Sequence, residues 1–166
     1  MPSAKPVQID ILIEDKKWGK ARLGVKTLFP LVLETACKTL PEKIKVPLEV
    51  TVTLSNDKAI KILNRDHRGK NKPTNVLSFP LWESRDDIPT GRDAVPIGDI
   101  IIAFETMARE AVEQEKSLKD HMAHMLVHGF LHLLGYDHMN DAEAEEMESL
   151  EVKILKKLKI KDPYAA

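Results

Sequence analysis

Residues 117 to 138 read SLKDHMAHMLVHGFLHLLGYDH, and how this stretch folds decides what the rest of the chain must supply. At 100° per residue, His121, His124, His128 and His132 fall within an arc of about 80° on one helix. Met122, Met125, Leu126, Val127, Phe130, Leu131, Leu133 and Leu134 cover most of the remaining circumference. A helix this apolar is buried, so its one polar stripe is a row of imidazoles inside the protein or at the floor of a cleft. Buried imidazoles need partners. One alone is ordinarily a hydrogen-bonded core residue; four in line, followed by a fifth at His138, point to a metal.

Upstream, the chain alternates. Residues 7–13 (VQIDILI) and 48–54 (LEVTVTL) have the period of half-buried strands. Ser55, Asn56 and Asp57 offer capping side chains to a short helix with Ala59, Ile60, Ile62 and Leu63 on its apolar face, expected to end near Asn64. Residues 76–79 form a short strand stopped by Pro80, and 99–103 (DIIIA) read as a central strand. Between them, residues 81–97, broken by Pro89, Gly91 and Pro96, read as a long mobile loop placed to cover a site. An amphipathic helix spans 23–40 with Pro30 near its middle. Further helices start at Phe104, where Glu105 and Arg109 are spaced for an i,i+4 pair, and run over 141–158. Strands early and helices late predict an α+β fold, a mixed sheet covered by helices.

At 166 residues the chain fits one domain, and 25 basic against 26 acidic residues give no overall reason to expect a polyanion partner. The charge is uneven, however. Lys58, Lys61, Arg65, Arg68, Lys70 and Lys72 face one acid, Asp66, within 58–72, whereas 137–151 holds seven acids and no Lys or Arg. The acidic stretch reads as a solvated helix over the apolar core. A lone cysteine, Cys37, reads as a small buried hydrophobe and excludes an internal disulfide. With no leader pattern and no run of 18 apolar residues, a soluble cytoplasmic protein without a membrane span is expected.

His128 and His132 are one turn apart, about 6 Å of rise, so both rings can reach one ion. Gly135 ends the helix in a left-handed conformation and lets the chain reverse, returning His138 as a third donor. Three neutral imidazoles with an open fourth position describe a catalytic zinc site, although nickel, copper or iron also accept such a set. His121 and His124 are expected as an outer shell or cleft wall. Tyr136 and Asp137 fix the turn, and Asp137 is a candidate outer-shell acceptor for a ligand imidazole. The spacing matches the zinc-protease signature H-E-x-x-H-x-x-G-x-x-H except at Gly129, where the proteases carry a glutamate general base. Glycine can neither take nor deliver a proton, so peptide hydrolysis is disfavoured. Phosphodiester cleavage, which can run on charge stabilisation, stays open.

These residues resemble the YbeY proteins, bacterial factors for ribosomal RNA maturation regarded as single-strand-specific endoribonucleases. His128 to His138 meet every fixed position of that family's H-G-x-L-H-L-x-G-Y-D-H, and the likeness continues in LNRDHRGKNKPTNVLSFP (63–80) and GDIIIA (98–103). The resemblance implies a small α+β fold on a mixed, mainly parallel four-stranded sheet, with a zinc held by His128, His132 and His138. It also implies an arginine, here Arg68, facing the metal. His67 departs from the family, where an aromatic residue is more usual. The implied role is single-stranded RNA cleavage in 16S 3′-end maturation and ribosome quality control, with the 30S subunit or its proteins as partner. Arg68, expected in a loop, would clamp a phosphate, with Arg65, Lys70 and Lys72 tracking the RNA backbone. Few aromatic residues leave little base stacking, so affinity should be electrostatic. Two other classes compete: a metalloprotease, and a non-catalytic small-subunit assembly factor whose metal is structural.

Overall fold

A computed structural model describes residues 6–91 and 93–165. In chain order it contains β1 (Val7–Ile13), α1 (Lys17–Lys20), α2 (Val25–Thr39), β2 (Leu48–Ser55), α3 (Asp57–Arg68) and β3 (Val76–Pro80). After a 3-10 turn at Arg85–Asp87 come β4 (Val95–Ala103), α4 (Phe104–Glu113), α5 (Leu118–Leu133) and α6 (Asp141–Lys157). The strands lie in the order β1-β2-β4-β3, with β1, β2 and β4 parallel and β3 antiparallel to β4. This is the expected α+β fold on a mixed, mainly parallel four-stranded sheet. Among the described residues no helix is long and apolar enough to cross a membrane.

Alternation along β4 divides the interior. Ile100 and Ile102 point into the main core with residues of α2 and α5, while Ala103 and the partly buried Ile101 join Ile60 and Leu77 in a smaller cluster beneath α3. Helix α5 touches α2, α4, α6, β3 and β4, which is why it is apolar nearly all round. Leu126 and Phe130 are fully buried there, each contributing about 1.5–3 kcal/mol of transfer free energy.

Several sequence expectations need correction. Residues 48–54 look half-buried from their alternation, yet β2 is flanked by β1 and β4 and from Val52 to Ser55 is buried on both faces. Helix α3 does not stop near Asn64. It runs to Arg68, because Asn64 is buried with its Nδ2 donating to Lys72 O at 2.8 Å, and Gly69 (φ 68°) closes the end with its N–H on Arg65 O. Arg68 is therefore on the last turn of a helix and not in a loop.

The segment expected to be a mobile loop over 81–97 is shorter and tied down. Strand β4 starts at Val95, and a register shift at Glu49/Val50 accommodates Pro96, which reads as a breaker, together with Gly98. Gly98 (φ 141°) is required: a Cβ there would lie 2.2 Å from Phe79 O. Trp82 Nε1 donates to Pro96 O at 2.9 Å, and the Arg85 guanidinium sits 4.1 Å over the Tyr136 ring. Nor do Glu105 and Arg109 pair. Glu105 binds Lys17 at 2.6 Å and the N–H of Asp57, while Arg109 approaches Asp57 and Thr106. Cys37 is half-buried, and burial, with Glu34 nearby, pushes its thiol up to about 12, so it is inert near neutrality.

Candidate metal centre

Helix α5 is capped by Ser117, whose side chain accepts the N–H of Asp120, and carries His128 and His132 on its last two turns. Gly135 (φ 95°) then reverses the chain, with Gly135 N–H on His132 O and Tyr136 N–H on Leu131 O, both at 3.0 Å. The reversal returns His138 beside the helix, with ring centroids 5.8 Å from His128 and 5.1 Å from His132. One donor atom from each of the three rings lies within 4.8 Å of the others.

Hydrogen bonds set the tautomers. His132 Nδ1 faces Tyr136 O at 3.0 Å, and a carbonyl only accepts, so Nδ1 carries the proton and Nε2 a lone pair. His128 Nδ1 faces the Glu151 carboxylate at 3.1 Å, with the same outcome. The two Nε2 atoms stand 3.1 Å apart. Burial, with His128 and His138 nearby, holds His132 down to about 4, so near pH 7 no proton on His132 bridges the pair. With Nδ1 of each ring turned to an acceptor, the two Nε2 atoms are left to share one position, as ligands of a single cation do. The donor set thus fits a divalent ion.

Around the rings is a cleft of about 550 Å³ lined also by Arg68, Asn75, Ser78 and Trp82. Arg68 is exposed and has no carboxylate partner among the described residues. Arg65, Lys70 and Lys72 are exposed too, but outside the cleft wall, and Arg65 pairs with Asp66 at 3.0 Å. His67 packs edge-on against Phe79, centroids 5.1 Å apart, filling the place where an aromatic residue was expected. Asp137 Oδ1 lies 3.3 Å from His138 Nδ1 and accepts its backbone N–H at 2.8 Å.

His124 is one step further out than expected. Its Nε2 meets Glu151 Oε1 at 2.9 Å, and through Glu151 it is linked to His128. His121 is bound by Glu110 at 2.9 Å, which also takes Asn75 Nδ2 at 3.0 Å. Sequence reasoning missed Glu151 by assigning it to a solvated acidic face. The available signal was its place in the stripe Met147, Leu150, Glu151, Ile154, Leu155, all buried. Burial opposes ionisation of Glu151, but hydrogen bonds from His124 and His128 outweigh it and hold the carboxyl at about 2.

Gly129 faces the sheet. A Cβ there would lie 3.1 Å from both Ser78 Oγ and Ile100 Cγ2, so β3 and β4 crowd the position where the proteases carry a glutamate. The adjoining edge is also poor in donors. Asn75 O accepts from Ala103 N–H and Leu81 N–H donates to Ile97 O, so alternation turns the backbone of Val76, Ser78 and Pro80 outward. Asn75 Oδ1 takes the Val76 N–H at 2.7 Å, and Pro80 has none. A peptide strand added here would find one N–H, that of Ser78, beside the outward carbonyls, where strand addition relies on a ladder of both.

A family model described as Endoribonuclease YbeY matches residues 11–159. An Endoribonuclease YbeY of Rhizobium etli is 57% identical, the match covering 95% of this chain and 93% of the relative. Another, of Azorhizobium caulinodans, is 43% identical over 96% of this chain and 97% of its own length. The solution structure of TM1509 from Thermotoga maritima superposes with a TM-score of 0.55 at 24% identity, over 96% of this chain and 97% of that one, a likeness of fold. With nearly the whole chain matched, and the histidine turn folded as described, the chain belongs to the Endoribonuclease YbeY family.

Proposed function

We propose that this chain is one metal-dependent hydrolase domain, a cytoplasmic endoribonuclease that cuts single-stranded RNA. Its setting would be ribosomal RNA processing, namely 16S 3′-end maturation and ribosome quality control, in contact with the 30S subunit or its proteins. The names of its relatives support the reaction class. One observation carries the reading: three imidazole donors converge within 4.8 Å in a cleft that Arg68 also lines. His128, His132 and His138 would hold the ion, and zinc suits three neutral nitrogens with an open position. When bound, the ion supplies positive charge and Lewis acidity at a phosphoryl oxygen. Arg68, with no carboxylate partner among the described residues, grips the same phosphate through its planar fork, and Arg65, Lys70 and Lys72 follow the strand away from the cleft. Asp137 orients the His138 ring. Gly129 and the donor-poor β3 edge argue against a peptide substrate.

Purified wild type and Arg68→Ala, assayed on matched single-stranded RNA, duplex RNA and DNA, test this reading. Cleavage of single-stranded RNA should fall about 100-fold in Arg68→Ala, the effect of losing one preorganised donor, with metal content unchanged. Equal cutting by both proteins would mark a contaminating nuclease and leave a non-catalytic assembly factor. Affinity gives a second check. Four phosphate contacts imply a log-log salt slope of about −3, hence about 50-fold weaker RNA binding at 200 mM than at 50 mM salt. A flat salt profile would remove the basic residues from the interface.

A further inference from the structure

We propose that Glu151 is the positioning residue of the metal centre, fixing His128 with its proton on Nδ1, and that Tyr164 of the C-terminal segment holds the carboxylate in that role. The inference rests on the metal-centre reading above. Three donors meet on this one fully buried carboxylate: His128 Nδ1 at 3.1 Å and His124 Nε2 at 2.9 Å on Oε1, and Tyr164 Oη at 2.9 Å on Oε2. A carboxylate in this state only accepts, so each partner must donate. For His128 the consequence is directional. Its Nε2 is left as a lone pair aimed at the position shared with His132 and His138.

Stability alone does not account for a charge here. Glu151 occupies the apolar stripe of α6, between Leu150 and Ile154, where a well-packed hydrophobe serves the core at least as well as a buried ion pair. Orientation of a ligand ring is what a hydrophobe cannot supply. Tyr164 is part of the device, because its hydroxyl occupies Oε2 and its ring packs edge-on against His124, centroids 5.6 Å apart. Tyr164 is thereby tied to His128 through one carboxylate.

Nitrogen-15 NMR of the metal-free wild type at pH 8 should find His128 protonated on Nδ1; a proton on Nε2 would overturn the proposal without any variant. Zinc affinity, measured by competition with a chromophoric chelator, should fall about 10–100-fold in Glu151→Ala. It should recover most of that in Glu151→Gln, whose amide oxygen still accepts from Nδ1, and fall a few-fold in Tyr164→Phe. A purely structural residue would lower the melting temperature of the metal-free variants and leave zinc affinity at the wild-type value, which would also overturn it. Should wild type bind no zinc while His128 shows the Nδ1 proton, the metal-centre reading fails and the orienting role of Glu151 stands.

Discussion

Replacing His132 by alanine is expected to lower RNA cleavage about a thousandfold and to strip the protein of its metal. Charge stabilisation by a bound ion is worth several kcal/mol, and each 1.4 kcal/mol is a factor of ten in rate. His132 is the central ring of the set, 3.1 Å from His128 through Nε2 and 5.1 Å from His138 between centroids. Alanine keeps the helix, since it has the best helix propensity. The metal-free variant should therefore melt near the metal-free wild type. Added zinc should raise the wild-type melting temperature and leave the variant unmoved, because only a binder of the native state stabilises it. Metal content by mass spectrometry and oligonucleotide cleavage check the result. One metal per chain together with wild-type cutting in His132→Ala would remove these histidines from the reaction.

The second large effect is on the fold. Gly129→Glu should destabilise the protein by more than about 4 kcal/mol, the sum of overpacking (about 1–3 kcal/mol) and several kcal/mol for an uncompensated buried carboxylate. That is a large part of a typical domain's total of about 5–15 kcal/mol. The added Cβ alone stands 3.1 Å from Ser78 Oγ and Ile100 Cγ2, so the longer glutamate side chain must displace residues of β3 or β4 to fit. Restoring the zinc-protease signature is therefore not expected to restore its general base. Gly129→Ala is the control: the gain of about 1 kcal/mol in helix propensity offsets part of the crowding, so its loss should be far smaller. Denaturant midpoints measure both variants. A stable Gly129→Glu protein that digests casein would show that the glutamate has room to reach the metal.

Much of the centre was legible in the sequence, and for one reason. The four-residue spacing of His128 and His132, the left-handed glycine at 135 and the return of His138 are local, so backbone periodicity and turn chemistry place them whatever surrounds them. Less legible were features whose cause lies elsewhere in the chain. Helix α3 extends to Arg68 because Asn64 is satisfied by Lys72 O, and β4 absorbs Pro96 and Gly98 because β2 shifts register against it. Both look like breaks until the partner strand or loop is in place.

By itself, then, the sequence determined a buried, imidazole-striped helix, the turn that brings a third ring to two others, and the alternation that builds the sheet. Only the tertiary structure decided that Glu151, 23 residues beyond His128, fixes its tautomer, that Gly129 is a packing position, and that Arg68 rather than its basic neighbours lines the cleft. Spacing along one element follows from helical and strand geometry. Which side chains meet across elements depends on the rotation and register at which those elements dock, and packing of the whole core sets both.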